Sequence, residues 1–282
     1  MRLGIGIASR HPDGTPMKAA EVMRRAKLIE DIGFDHIWVG ETLNRGGFSM
    51  DQMSMCLLAA AATEHIEMGT TIIEVPLRNP AELAMRLLSM HALTGKRFVA
   101  GLGAGSTKAD MDAVGVDFDK RFGIFARNLP MIRKLVQGET IEIKGNPVCL
   151  HPPEGIAGGP PMVIGSWASD MWVKRAATEY DGWMASGLPR ANASRTLGNG
   201  IKIFRDAGGK RALIVTIGVD LRAPTEPMDP DKAFNLRCDP REAASRLQYV
   251  AELGFDDVHL VGTATQTEED LREIRSLLPK SN

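Results

Sequence analysis

Cysteine is scarce in this sequence, and what little there is has no useful spacing. Cys56, Cys149 and Cys238 are far apart and odd in number, so they read as reduced thiols rather than as a disulfide framework or a metal-ligand set. The six histidines are scattered, with no His-Glu-x-x-His helix and no paired cysteines beside them, which excludes the usual zinc patterns. An excess of one charge is missing too. Lys and Arg total 34 against 35 Asp and Glu, a formal net charge of −1, and this leaves no basic footprint for nucleic acid or an anionic membrane. No apolar run approaches the roughly 18 residues of a membrane span, and the apolar start at residues 3–7 is too short for a signal peptide. A cytoplasmic protein acting on a small molecule is the expectation. A dinucleotide fingerprint is absent as well: Gly101-Leu102-Gly103-Ala104-Gly105 has the wrong third spacing and no helix starts directly after it.

What is present is alternation. Eight apolar runs of strand length, at 3–7, 36–39, 67–74, 98–102, 162–165, 182–185, 213–219 and 258–261, are separated by helical patterns. This is the mark of repeated βα units around a parallel sheet. A chain of 282 residues matches one (β/α)8 TIM barrel of roughly 250 residues carrying insertions, so 1–282 is expected to be a single α/β domain. Phe125, Leu129, Ile132 and Val136 recur every three or four residues and should turn one helix face to the barrel. An internal echo supports repetition: Ile32-Gly33-Phe34-Asp35-His36-Ile37-Trp38-Val39 returns as Leu253-Gly254-Phe255-Asp256-Asp257-Val258-His259-Leu260. Gly33 and Gly254 suit the left-handed position that ends a helix. Stretches 104–120, 138–161 and 221–239 exceed ordinary loop length, which puts insertions after the fourth and seventh strands. The second reads as a small hairpin around Lys144-Gly145-Asn146, and the third, rich in proline and charge, as a candidate lid or a plain excursion.

In such a barrel the chemistry gathers at the C-terminal ends of the strands. Those ends carry Gly40-Glu41-Thr42, Thr70 and Thr71 with Glu74 and Arg78, the turn Gly103-Ala104-Gly105, Gly165-Ser166-Trp167-Ala168-Ser169, and Ser186-Gly187. The glycine turn allows close approach of a flat ligand or phosphate, or is merely a tight turn. Ser166 and Ser169 sit where a helix should begin, as a helix cap or an anion site. Glu41 is either a buried acceptor for a cofactor or a surface charge. His11 is a candidate substrate contact, and Glu74 with Arg78 is read as an ordinary ion pair. No catalytic lysine or carboxylate pair stands out.

The order of these segments resembles the bacterial luciferase-like monooxygenase superfamily, including its deazaflavin-dependent branch, over nearly the whole chain. The carriers are residues 32–41, Gly69-Thr70-Thr71 with Arg78-Asn79-Pro80-Ala81, Leu93-Thr94-Gly95-Lys96-Arg97-Phe98 with residues 101–106, and Val114-Gly115-Val116-Asp117-Phe118-Asp119-Lys120-Arg121-Phe122. The resemblance implies an oxidoreductase with an isoalloxazine-type ring across the barrel mouth and its phosphate near the glycine turn. It also implies a non-prolyl cis peptide at Thr71–Ile72. The cofactor would be reduced FMN, delivered by a separate flavin reductase and used with oxygen, or alternatively a deazaflavin passing hydride. Cofactor contacts would come from Glu41, Thr70, Thr71, Gly103, Ala104, Gly105, Gly165, Ser166, Ser169 and Arg121, and catalytic candidates are Glu41, Thr42 and His11. Thr42 stands where luciferases have a histidine, so that acid/base step does not transfer and a non-catalytic flavin-binding barrel is a further reading. Ala104 stands where they have a phosphate-binding arginine, which passes phosphate binding to the serines and Arg121. Family members usually pair, and Met50, Met53, Met55, Leu57 and Leu58 are the stretch expected to face a second copy or to pack in the core.

Overall fold

The computed structural model of the chain describes residues 1–166, 169–186, 193–229 and 233–279, without the side chains of 193–196. Trp167, Ala168 and Gly187, and the middle of the candidate lid at 230–232, lie outside the described residues. The strands are β1 (Arg2–Ile5), β2 (His36–Val39), β3 (Glu67–Thr70), β4 (Ile73–Glu74), β5 (Phe98–Gly103), β6 (Ile141–Ile143), β7 (Asn146–Val148), β8 (Met162–Gly165), β9 (Gly182–Ser186), β10 (Ala212–Ile217), β11 (Val219–Asp220), β12 (Leu236–Arg237) and β13 (Asp257–Leu260). The helices are α1 (Ala19–Ile32), α2 (Gln52–Ala62), α3 (Pro80–Leu93), α4 (Lys108–Asp112), α5 (Arg121–Val136), α6 (Asp170–Glu179), α7 (Ala193–Asp206), α8 (Pro240–Leu253) and α9 (Glu268–Ser276). Parallel pairing runs β3-β2-β1-β13-β10-β9-β8-β5, and β5 pairs back onto β3. The sheet therefore closes into an eight-stranded parallel barrel, as the sequence pattern predicts, except that the third strand, expected to run unbroken over 67–74, is divided into β3 and β4. No described helix is long and apolar enough to cross a membrane.

The repeated sequence device has a specific job. Gly33 (φ 96°) and Gly254 (φ 102°) end α1 and α8 in the left-handed conformation. Phe34 and Phe255 then enter the core. Asp35 Oδ2 accepts the N–H of Leu3 in neighbouring β1 at 2.8 Å, and Asp256 Oδ2 accepts that of Ala212 in neighbouring β10 at 2.7 Å. Each copy thus ends a helix, anchors the turn and sets the strand's register against its neighbour. Two more motifs are equally structural. Asn79-Pro80 and Asp239-Pro240 start α3 and α8, the first residue capping free N–H groups and the proline supplying a preset φ. Arg97 reaches the carbonyls of Ala60, Thr63, Ile66 and Thr94, closing the C-terminal end of α2 onto the start of β5.

Phe125, Leu129, Ile132 and Val136 of α5 are buried, so that face does meet the barrel. The hairpin forms as β6 and β7 about Lys144 and Gly145, both at positive φ. In the third insertion, Leu221, Phe234, Leu236 and Cys238 are buried, β11 pairs with β12, and Thr225 is bonded to Asp239. Its two ends are pinned to the start of α8. Met53 and Met55 are buried in the core, whereas Met50, Leu57 and Leu58 are half-buried against it.

Inside the barrel, large rings are accommodated by glycines on neighbouring strands. A Cβ on Gly4 would lie 2.0 Å from the His36 ring, and one on Gly69 would lie 2.6 Å from Trp38. His36 stacks on His259 with ring centroids 5.6 Å apart. Burial pushes the His36 imidazole down to about 3 and His259 well below its ordinary value, so both are neutral rings packing a dry interior. Below them the N-terminal end of the barrel is closed by ions. Arg211 donates to Glu67 at 2.7 and 3.0 Å and to Asp257 at 2.9 Å, and Arg2 lies 3.3 Å from Glu67 and 3.2 Å from Asp257. Glu67 also accepts from Trp38 Nε1 at 3.3 Å. Removing one partner of such a set strands buried charge. Arg211→Ala is expected to lower unfolding stability by about 3 kcal/mol, read as a reduced urea midpoint at unchanged slope. A loss below about 1 kcal/mol, the range of surface pairs, would show that the network carries little.

Candidate functional site

The mouth of the barrel is floored by the break between β3 and β4. The Thr71–Ile72 peptide is cis, at the bond that the family resemblance implies. The Ile72 side chain tops the inner cluster of Trp38, Val99, Val163, Met184, Leu213 and Val215. It fits because Gly103 and Gly165 flank it: a Cβ would lie 2.5 Å from Ile72 Cδ1 at the first and 2.8 Å from Cγ2 at the second. The two glycines thus make room for an isoleucine, which is half-buried at the mouth as an apolar platform. Gln52, buried at the start of α2, donates to the Ile72 carbonyl at 3.4 Å. The Thr70 hydroxyl both donates to the Gly101 carbonyl and accepts the Gly101 N–H, each at 3.0 Å, so it is occupied within the barrel wall, while Thr71 is half-buried at the rim.

One side of this floor has the features of an anion cradle. Ala104 is buried and Gly105 takes φ 77°. Arg121, the first residue of α5, bonds the Gly105 carbonyl at 3.3 Å and the Phe118 carbonyl at 2.7 Å, its guanidinium 3.6 Å from the Phe118 ring centroid. Structure therefore brings Arg121 to the glycine turn across an intervening stretch that contains α4. Gly165 lies beside Gly103 in register, and Ser166 follows it with a buried Oγ that has no hydrogen-bond partner among the described residues. Ser169 precedes α6 without capping it by its side chain, which leaves that helix's first N–H groups for a ligand or solvent.

The other side is a connected set of charges. Glu41 is paired with Arg78 through both carboxylate oxygens, and its Oε2 also accepts the Glu74 N–H at 2.8 Å. The expected Glu74–Arg78 ion pair is thus corrected: Arg78 reaches only the backbone carbonyl of Glu74, at 3.3 Å, and gives its charge to Glu41. Glu74 instead pairs with Arg45 at 2.7 Å, and Arg45 also holds Asp110 of α4 at 2.6 Å. Burial pushes the Glu74 carboxyl up to about 7, against Arg45 and with the help of Asp110 and Glu41. His11 turns to Glu21 on α1, 3.5 Å away, and Thr42 is half-buried beside Glu41. Arg45, Asp110 and the role of Glu74 escape sequence reasoning, since an arginine in an irregular loop and an aspartate on a five-residue helix carry no periodic signal. A glutamate at the end of a buried apolar strand was the one available clue. No group of His, Cys, Asp or Glu among the described residues is arranged to hold a metal.

Residues 1–277 match the family described as luciferase-like monooxygenase. Among individual proteins, the chain is 27% identical over 173 residues to 4-hydroxyprotoasukamycin monooxygenase of Streptomyces nodosus subsp. asukaensis, covering 58% of this chain and 46% of that protein. It is 29% identical over 126 residues to 5,10-methylenetetrahydromethanopterin reductase of Methanolobus tindarius, covering 45% and 37%. The chain thus spans less than half the length of these relatives. In fold it is similar to the crystal structure of monooxygenase RslO1 from Streptomyces bottropensis, with a TM-score of 0.79 at 17% identity over 98% of this chain and 97% of the other.

The elevated Glu74 carboxyl has a consequence for stability. With an ordinary value of 4.5 and a folded value of about 7, its proton is held more tightly in the folded chain. The resulting stabilisation is complete below 4.5 and is lost as pH rises through about 7. Glu74→Gln, permanently neutral, should match the wild type in urea unfolding at about pH 4 and exceed it by up to about 3 kcal/mol at about pH 9. Parallel stabilities at both pH values would show that Glu74 ionises freely.

Proposed function

The chain belongs to the luciferase-like monooxygenase family, and from that premise we propose that it is an FMN-dependent monooxygenase. In this reading it takes reduced flavin from a separate reductase and uses molecular oxygen to oxidise a small organic substrate. The observation that carries the reading is the buried Ser166 hydroxyl, which has no partner among the described residues. A buried hydroxyl without a partner costs free energy, and this one lies beside the glycine turn and just before the uncapped start of α6. Ser166, Ser169, the turn at 103–105 and Arg121 are the groups that would hold the phosphate. When bound, a reduced flavin supplies the electrons for oxygen chemistry.

The protein's part is shape and charge. Ile72 offers an apolar, water-excluding platform over the filled barrel. Glu41 and Arg78 neutralise each other and brace the strand end that carries Glu74. Leu43, Phe48, Val114, Phe122, Met171 and Val261 are exposed apolar side chains in segments that follow strand C-terminal ends, which suits an apolar substrate. The similarity to a reductase favours a second reading, hydride transfer without oxygen from a reduced deazaflavin, the alternative carrier that the sequence resemblance implies.

The test is a titration with reduced FMN, riboflavin and a reduced deazaflavin, followed by oxygen uptake with organic substrates. Tight binding of reduced FMN with substrate-linked oxygen uptake is expected. Ser166→Ala should weaken FMN by about tenfold, the equivalent of one hydrogen bond to a charged group, and leave riboflavin unchanged. Preference for the deazaflavin without oxygen uptake would replace the monooxygenase reading by hydride transfer, and failure to bind any of the three would overturn both.

A further inference from the structure

Three carboxylates and two guanidinium groups share the charged side of the mouth. Arg78 is committed to Glu41, and Arg45 is divided between Glu74 and Asp110. Asp110 is completed by the N–H groups of Leu43 and Asn44, at 3.2 and 2.7 Å. Glu74 receives no such completion. Its Oε1 has Arg45, whereas its Oε2 is buried without a partner among the described residues, and the residue is only 3% exposed. That free oxygen lies directly under the glycine turn, since a Cβ on Gly105 would come within 2.6 Å of it. Arg121 holds the carbonyl of the same glycine.

With every group ionised the five side chains sum to −1, and one proton makes them neutral. Glu74 is the place for it, because its Oε2 is the buried oxygen of the three carboxylates that has no donor among the described residues, and a lone buried negative charge is costly. The groups that face it are Glu41 and Arg45 from the loop after β2, Arg78 before α3, Asp110 on α4 and, across the turn, Arg121 on α5. Burial raises its affinity for that proton, with Arg45 opposing and Asp110 and Glu41 reinforcing the effect. A negative ligand seated in the turn above would repel an ionised Glu74 across a low-dielectric contact.

We propose that Glu74 makes anion binding at the Gly103–Gly105 turn proton-linked, so that a phosphate-bearing cofactor enters together with one solvent proton that resides on Glu74 Oε2. The proton returns to solvent when the ligand leaves. This rests on the reading of the turn as the phosphate site of a flavin, and it makes Glu74 a positioning residue that selects for charge at that end of the cofactor.

Two measurements test it. In the free wild-type protein, the infrared band of a protonated carboxyl should persist at about pH 6, above the range of ordinary carboxyls, and disappear as pH rises through about 7; that component should be missing from Glu74→Gln. Calorimetric titration with FMN at about pH 8, where a phosphate monoester is already largely dianionic, should then show uptake of close to one proton in the wild type and none in Glu74→Gln. Riboflavin, which lacks the phosphate, should show none in either. The wild-type Kd for FMN should rise by close to tenfold between about pH 8 and about pH 9, and that of the variant should stay level. Equal proton uptake by wild type and variant with FMN bound, or no titrating carboxyl band in the wild type, overturns the role of Glu74 while leaving the flavin reading intact. Absence of FMN binding at any pH overturns both.

Discussion

The ion set that joins Arg2, Glu67, Arg211 and Asp257 ties together strands that are far apart in sequence. Residues from β1, β3 and β13, with Arg211 just before β10, meet at one end of the barrel. Because the charges gather in mutual contact around the buried Asp257, a strand that slipped by one residue would point its charge outward and abandon its partners. Closure and register therefore support one another. Above this floor the neutral rings of His36, His259 and Trp38 occupy the space that Gly4 and Gly69 leave, so the interior is filled rather than open.

That filling sets the height at which chemistry can occur. The inner column of side chains ends in Ile72, seated between Gly103 and Gly165. Everything above it belongs to segments leaving the C-terminal ends of the strands, the rim on which such barrels assemble their sites. The rim is divided. On one side stand an open helix start, a glycine turn and Arg121; on the other, carboxylates outnumber guanidinium groups. The two sides meet at Gly105, whose missing side chain lets Glu74 lie beneath the turn.

Several motifs that carried the family resemblance prove to be architectural. The Gly-Phe-Asp device ends helices and sets strand register, Asn79-Pro80 starts α3, and Arg97 closes α2 onto β5. The device recurs within this chain because closing a barrel poses the same backbone problem at more than one βα unit. Glu41 shows the same duality, since the acid at the strand end is bound by Arg78 and by the Glu74 N–H.

The eightfold alternation of short apolar runs with helical faces, and the glycines at helix ends, were legible in the sequence by itself. Both follow from local periodicity and backbone sterics, which act between residues close in the chain. So were the strand ends that form the barrel mouth, because the topology follows from the alternation. The partners of side chains were decided only by tertiary structure. Glu74 and Arg78 are one helical turn apart in sequence, yet Arg78 goes to Glu41 and Glu74 to Arg45, because the strand end points their side chains toward different loops. The buried Oε2 of Glu74 and the orphaned hydroxyl of Ser166 are likewise properties of packing. Burial and the want of a partner are set by neighbours brought together across the fold, and no local pattern encodes them.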